Sequence, residues 1–530
     1  MSHLFFIHLV SQLLLYITKL MNQFTKISIT LIILFTIAKS GIAQNPDIKR
    51  TYHWHFGIGA GLDFSSGTPV STTTNPMTVD TLNGEWMEGT ASVSDTCGNL
   101  LFYTDGNTVW NSNNQIMQNG TGLLGNRSST QSALIVPQPG NDSIYYIFTT
   151  DDDGNVGANG LRYSIVNINL NAGLGAIIQK NVLLYAPAGE KLTATYHANG
   201  SDMWILSVNR YPSGPPPDTT YQYYAYLLTA GGINPPIISP SAVHPHKFLY
   251  GYIRFSTLGD KVVTVFNTGF QDTLEFRQFD NATGLLYNPI ILQPEYYSYG
   301  DSIVGGYGLC FSADDSKLYY SFTGFYNDGN EVFDYFSKIY QYDVSVYDSA
   351  IISSSKIMIQ KSDSTTNLLP TYYALQNGAD GYIYISVINF QQPYYPDTIA
   401  LIANPNLSGA ACNFIGNGVA IGGMSHAGLP NFVDSYFNSS WVQGCTTGVS
   451  EIEDKVPYKL YPNPANDFIM IESTKSFTIK LFNINGILLN STHVKHNLYK
   501  LDVSSYNNGI YLIQIISNNE YYSHKLIINH

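Results

Sequence analysis

Ser94-Asp-Thr-Cys-Gly-Asn-Leu-Leu-Phe-Tyr-Thr-Asp-Gly-Asn-Thr-Val-Trp110 sets a Gly-Asn turn before an aromatic-rich apolar run and closes that run with an Asp-Gly turn. This is the pattern of short antiparallel strands joined by tight hairpins. Versions of the same turn and strand return at 141–147, 200–206, 259–265, 314–320 and 378–385. A period of roughly 45 to 65 residues suits four-stranded propeller blades with loop insertions. Each copy follows an earlier strand, as at 88–94 and 251–256, and precedes a third, as at 221–228 and 338–344. Inner strands covered on both faces read as continuous apolar runs, and a β-sandwich has no need of six similar units.

The ends of the repeat region bear on its closure. Residues 426–437 read as a lone first strand with no successors, while 52–56 and 62–64 are strands with no earlier partner. Joining the two ends in one composite blade removes the edges an open ring would expose. The expectation is an all-β chain: a β-propeller over 44–437, with seven blades favoured and six as the alternative, followed by a small β-sandwich.

Composition agrees. Aromatic residues reach 14% against 12% charged, with 41 Tyr and 45 Gly, a mixture fitted to many short strands and tight turns. The 530 residues leave room for a large core plus an appended module. With 38 acidic and 25 basic residues the formal net charge is −13, and Lys and Arg form no stripe, which argues against nucleic acid and against an anionic membrane surface as partners. The four cysteines, Cys97, Cys310, Cys412 and Cys445, include no close pair of metal or redox spacing. Cys412 with Cys445 is the more plausible bridge, and Cys310, inside an apolar run, reads as a small buried hydrophobe.

Two apolar runs open the chain, 4–17 and 27–38, each shorter than the roughly 20 residues of a spanning helix. From Met21, a short basic segment, the second apolar run and Gly41-Ile42-Ala43 form a secretory signal, with cleavage expected between Ala43 and Gln44. Residues 1–43 are therefore expected to be a signal region whose true start is Met21, the alternative being a long signal whose first run is also translated, and no stable membrane span is expected after processing. At the other end, 438–457 shift to Ser, Gly, Thr and charged residues and read as a linker. Strands at 468–472, 477–483, 487–490, 499–503, 510–517 and 521–528, with Asn485-Gly486 and Asn518-Asn519 at turns, make 458–530 a self-contained antiparallel sandwich.

Chemistry is harder to find. His53-Trp54-His55 and His244-Pro245-His246 would put two rings on one strand face, as a metal site could use, but no third ligand is placed; core or loop histidines are the better reading. Asp151-Asp152-Asp153-Gly154-Asn155 lacks the alternating oxygens and late bidentate acid of a calcium loop and reads as a solvated loop. No Gly-x-Ser-x-Gly is present, and no pair of glycosidase acids stands out. No catalytic, cofactor or metal residue is assigned, and no cofactor is expected. The tyrosines at 221–226, 296–299 and 394–395 would suit sugars or protein contacts, though most should pack blades.

Two resemblances add to this reading. Residues 54–67, 98–111, 119–140 and 428–432 resemble the propeller-like ectodomains of large exported Bacteroidota proteins, a likeness silent on activity. The tail resembles the type A C-terminal sorting domain of the type IX secretion system. The match runs through Tyr461-Pro462-Asn463-Pro464-Ala465-Asn466, then Leu481 to Asn485-Gly486, then Leu501-Asp502-Val503-Ser504, then Gly509-Ile510-Tyr511-Leu512-Ile513, and finally Lys525 to Ile528. Only the closing Asn529-His530 depart from the family pattern. That resemblance implies export to the periplasm, recognition of the tail by type IX outer-membrane machinery, and a final place outside the cell or on its outer surface. Asp-Ser/Thr followed by an aliphatic residue or Thr, at Asp80, Asp142, Asp218, Asp272, Asp301, Asp348 and Asp397, looks like the O-glycosylation sequon of such proteins, with ordinary turn chemistry as the alternative. The expected function is a secreted or cell-surface binding protein with a glycan or surface-protein ligand. The alternatives are a propeller-fold glycan hydrolase or lyase, and a structural surface component.

Overall fold

Each of the six repeated turns folds as the hairpin between the inner strand of a four-stranded antiparallel blade and its second strand. In blade one that position is Gly98 at φ 95°, where a Cβ would also strike the Tyr52 ring at 2.8 Å. Blade five places Asp315 there at φ 55°, and its carboxylate accepts from the Thr257 and Leu258 amides (2.7 and 2.9 Å), tying this turn to that of blade four.

The chain is seen in a computed structural model that describes residues 46–78, 87–210, 220–244, 250–267, 272–294, 303–327, 333–363, 370–389, 396–438, 458–473, 476–483, 488–495, 498–517 and 520–530. It divides into two compact units, Met1–Cys445 and Thr446–His530. In the first, the inner strands are Ala91–Ser94, Ala133–Gln138, Ala188–Tyr196, Ile253–Phe255, Ile303–Phe311 and Thr371–Asn377, and in each blade the following strands pair outward in chain order. The outer strands of blades one and two meet in parallel at Gln118 and Ala176, and blade three carries an extra two-residue strand, Gly232–Ile233.

The seventh blade is the amino-terminal sheet, made of His53–Phe56, Ala60–Asp63 and Val70–Ser71. The far end of the propeller closes onto it: Ile58 and Met424 exchange backbone hydrogen bonds (3.0 and 2.9 Å), and the Gly61 amide donates to Ile421 O at 2.9 Å. Trp54, fully buried, packs against Phe64 of its own sheet, Tyr384 of blade six and Phe432 (centroids 5.1, 5.4 and 5.9 Å). The protein is thus a seven-bladed β-propeller, and its two ends do meet.

The strand expected at 426–437 is not one. After a single parallel bridge between Thr90 and Pro430, the segment runs down the central channel as extended coil and ends in the 3-10 turn Asp434–Phe437. Its partners come from several blades at once, so no one ladder forms. Asn431 Nδ2 donates to Leu192 O of blade three (2.9 Å) and Ala133 O of blade two (3.3 Å), while its Oδ1 accepts from Arg254 of blade four at 2.9 Å. Asp434 accepts from Thr193 Oγ1 (2.5 Å), the Phe255 amide (2.9 Å) and Arg254 (3.2 Å). Arg254 also reaches Gln376 of blade six at 2.7 Å, and Asn438 donates to Thr257 O at 3.4 Å. A buried polar chain of this kind is stable only when its groups find partners, and the inner strands supply them. The channel is plugged by the chain's own continuation.

The second unit has two sheets. Tyr458–Tyr461, Phe468–Ser473 and Leu498–Asp502 form one; Leu488–Val494, Phe477–Asn483, Gly509–Ser517 and Glu520–Ile528, in that spatial order, form the other. Ile469, Ile471, Ile479, Leu481, Leu501, Ile513, Ile515 and Leu526 bury a common core, which fits a β-sandwich.

Candidate functional site

The repeated turns all lie where inner strands end. The opposite end of the ring, where the inner strands begin, gathers ionisable groups. Glu88 sits just before the inner strand of blade one, Glu190 and Lys191 open that of blade three, Tyr250 and Tyr252 precede that of blade four, and Tyr307 lies in that of blade five. The loop 151–155, between the second and third strands of blade two, reaches the same place. Gly428, at the head of the plug, lies so close that a Cβ there would fall 1.0 Å from Glu88 O. The head of the plug thus packs against the backbone at this end of the ring, the mouth.

Glu190 is almost wholly buried and fully engaged. Its Oε2 accepts from the Thr130 amide and hydroxyl (2.8 and 2.6 Å), and its Oε1 from the Asp153 amide at 2.5 Å. Burial outweighs these donors and pushes its carboxyl up to about 7. Glu88 is half-buried and accepts from Tyr307 Oη at 2.6 Å. Burial, then the charge of Glu190, holds its carboxyl well above the usual range. Lys191 donates to Tyr250 O and Gly251 O (3.0 and 2.7 Å), and burial lowers its ammonium to about 7. A wall of tyrosines continues inward, Tyr373 on Tyr307 and Tyr307 on Tyr252 (5.1 and 5.6 Å), until Tyr252 meets the Arg254 guanidinium at 4.9 Å. The mouth thus sets two carboxyls of raised proton affinity and one ammonium of lowered proton affinity close together, with the Glu88 carboxyl on a phenol.

The loop 151–155 is not a free solvated loop. Asp151 Oδ2 accepts from Asn155 Nδ2 and the Asn159 amide (2.6 and 2.8 Å), and Asp153 pairs with Arg210 at 2.6 Å. These carboxylates are turned to internal donors. His55 is buried with its ring stacked on Tyr103 at 3.9 Å and its imidazolium lowered to about 3 by burial, while His53 Nε2 lies 3.0 Å from Gly98 O. Pro245 and His246 lie outside the described residues. Among the described residues no three His, Cys, Asp or Glu side chains gather as a metal site, and no helix is long and apolar enough to cross a membrane. Cys310 and Cys412 are buried and Cys97 exposed; the expected Cys412–Cys445 pairing falls outside the described residues, as does the signal site at Ala43 and Gln44. Of the sequon candidates, Thr273 is buried, Asp348 caps the helix Ser349–Ser354, and Asp80, Asp218 and Asp301 are outside the described residues. Tyr221, Tyr223 and Tyr226 are buried between strands, as blade packing requires.

None of Glu88, Glu190, Lys191 or Tyr307 stands out in the sequence as a site residue. The signal that could find them is positional: each sits at or near the start of an inner strand, so laying the repeats over one another would collect them at one end of the ring.

In the tail, the Tyr461 to Asn466 motif works as a clasp. The peptides Tyr461-Pro462 and Asn463-Pro464 are cis; Asn463 Oδ1 accepts from the Ile527 amide at 2.9 Å, and the Ala465 amide donates to Ile527 O at 2.8 Å. The departing last residues join it: the Asn529 amide donates to Ala465 O (2.8 Å), and the His530 amide to Asn508 Oδ1 (2.9 Å). Asp502 caps the turn after its strand through the Ser504 amide and hydroxyl (2.9 and 2.6 Å), Tyr511 Oη donates to Asn507 O (2.8 Å), and Gly509 pairs with Ile528. Lys525 lies opposite Leu512 in the ladder, and Asn485 and Gly486 lie outside the described residues.

Residues 459–529 match the family described as secretion system C-terminal sorting domain. The chain is an exported propeller protein with a type IX sorting domain, and that domain marks it for the cell surface or the medium. No curated protein sequence matches it. Among solved structures, it is similar to a periplasmic gluconolactonase of Pseudomonas aeruginosa at 13% identity, over 74% of this chain and 94% of that one, with a TM-score of 0.33. An ulvan lyase of polysaccharide lyase family PL25 gives 9% identity over 74% and 91%, with a TM-score of 0.35. An endo-arabinase of Bacteroides thetaiotaomicron gives 7% over 48% and 88%, with a TM-score of 0.30. With scores this low, the architecture rests on the strand pairing above and not on these likenesses.

Proposed function

We propose that the chain is a secreted or cell-surface binding protein, carried out by its sorting domain and presenting its propeller to a glycan or surface-protein ligand. The observation that carries this reading is the plug. With residues 428–438 filling the channel and the mouth carboxylates held by internal donors, the propeller offers preformed faces of the kind that recognise rather than transform.

A second reading has one observation in its favour. The Glu88 carboxyl has a raised proton affinity, set first by burial, and accepts from the Tyr307 phenol, as a general acid of a glycan hydrolase or lyase would. The experiment is a glycan and protein-partner array on the full chain with a panel of polysaccharide substrates in parallel. Saturable binding without turnover supports the first reading; turnover abolished in Glu88→Gln overturns it in favour of the second.

A further inference from the structure

A recess of about 480 Å³ opens between the seventh blade and blade six, lined by Tyr52, Phe64, Ser65, Ser66, Gly67 and Asp380 among others. It lies at the turn end of the ring, away from the acidic mouth: Tyr52 packs on the Gly98 turn of blade one, and Asp380 lies in the first hairpin of blade six. Its size falls within the roughly 300 to 1,000 Å³ of small-molecule sites.

The chemistry of the wall is mixed in a specific way. Asp380 is held from behind, its Oδ2 accepting from Tyr384 Oη at 2.7 Å and its Oδ1 from the Tyr382 amide at 3.2 Å. That fixes the carboxylate plane while leaving each oxygen further acceptor capacity. Ser66 is exposed, with its hydroxyl on Thr68 O at 2.8 Å, and Gly67 (φ 82°) presents bare backbone with nothing near its Cβ position. Tyr52 is half-buried and supplies an aromatic surface beside the buried Phe64.

A lone carboxylate on a chain of net charge −13 repels anionic ligands, and one acid cannot hold a hard cation alone. A planar acceptor pair, small hydroxyls and an aromatic face together match a ring that carries hydroxyl donors on its edge and C–H groups on its face. We propose that this recess is a saccharide subsite that takes one neutral sugar unit of a glycan, with Asp380 accepting from a pair of ring hydroxyls and Tyr52 packing on the sugar face. The inference rests on the binding reading above and deepens it.

The test titrates the full chain with neutral hexaoses of glucose, mannose, xylose and arabinose and with an oligouronate, and repeats the titrations on Ser66→Trp, which fills the recess from an exposed position, and on Asp380→Asn, which keeps the shape and removes the charge. The expected result is binding of a neutral oligosaccharide and not of the oligouronate, weakened at least about tenfold in both variants, with the thermal midpoint of Ser66→Trp unchanged and that of Asp380→Asn lowered only by the acceptor lost to Tyr384 or Tyr382. Binding of a glycan or protein ligand with unaltered affinity in both variants overturns the subsite and leaves the binding function standing. No saturable ligand for the full chain overturns both.

Discussion

Arg254 and Asp434 form an ion pair of 3.2 Å inside the propeller channel, one residue from an inner strand and the other from the segment that plugs it. Arg254 is 2% exposed, and its guanidinium also meets Asn431 and Gln376, so a single side chain joins blade four, blade six and the plug. Burial pushes the Asp434 carboxyl up, and Arg254 with the Thr193 and Phe255 donors pulls it back. Removing one partner leaves the other charge buried without compensation, which costs about 3–5 kcal/mol. Asp434→Asn should therefore lower propeller stability by that order in urea unfolding, while the transition of the sorting domain stays where it was. An unchanged propeller midpoint would show that the plug does not brace the ring.

Gly428→Ala tests the head of the plug. A methyl there would fall on Glu88 O, and backbone cannot yield as a flexible side chain can. A loss of about 3 kcal/mol is expected, read as a drop in the thermal midpoint. Gly381→Ala makes a contrasting control: it has open space around it and suffers only from its φ of 83°.

The mouth predicts a pH profile. Glu190 binds its proton more tightly folded (about 7) than at its ordinary value of 4.5. Its contribution to stability is therefore complete below 4.5 and is lost as pH rises through about 7. Lys191 is displaced the other way, to about 7 from 10.5, so the unfolded chain binds its proton better and stability climbs again as pH rises between those values. The pair together should give a shallow minimum near neutrality in unfolding free energy. Glu190→Gln should flatten the acid arm and Lys191→Met the alkaline arm; arms that survive these changes would assign the profile to other groups.

Tyr307→Phe removes the phenol that donates to Glu88. Since that hydrogen bond holds the carboxyl down against burial and Glu190, its loss should raise the proton affinity of Glu88 further. The carboxyl stretch in difference infrared spectra, taken against Glu88→Gln, should show protonated Glu88 persisting to higher pH, with a stability loss of about 1 kcal/mol. A titration that does not move would mean that the contact is not formed in solution.

How far the sequence could lead depends on where the information lies. The turn and strand units were legible because one hairpin recurs with the same residue classes, and the structure puts each copy at the same place, as Gly98, Gly140, Gly200, Gly259, Asp315 and Gly381 with positive φ. The sorting domain was legible through its resemblance, block by block, although the clasp that Tyr461 to Asn466 make with Ile527 and Asn529 was not, since those partners lie at the far end of the module. The path of 426–437 was not legible. Its alternating pattern looks like a strand, but its partners belong to inner strands far apart in the chain, and only the closed ring brings Ala133, Leu192 and Arg254 to one segment. The mouth was hidden likewise, since Glu88 and Glu190 are unremarkable singly and gain meaning from sharing one end of the ring. The loop 151–155 was placed correctly between strands but read as solvated, because nothing local says that Glu190 waits beneath the Asp153 amide.

Everything about the protein's role depends on its leaving the cell by way of its tail. The direct measurement fuses residues 458–530 to a periplasmic reporter carrying a Sec signal and expresses it in a host competent for type IX secretion, beside the same reporter without the tail. The account predicts that the fusion reaches the cell surface or the medium, detected by protease sensitivity of intact cells and by assay of the culture fluid, while the tail-less reporter stays periplasmic. A fusion retained in the periplasm would contradict it.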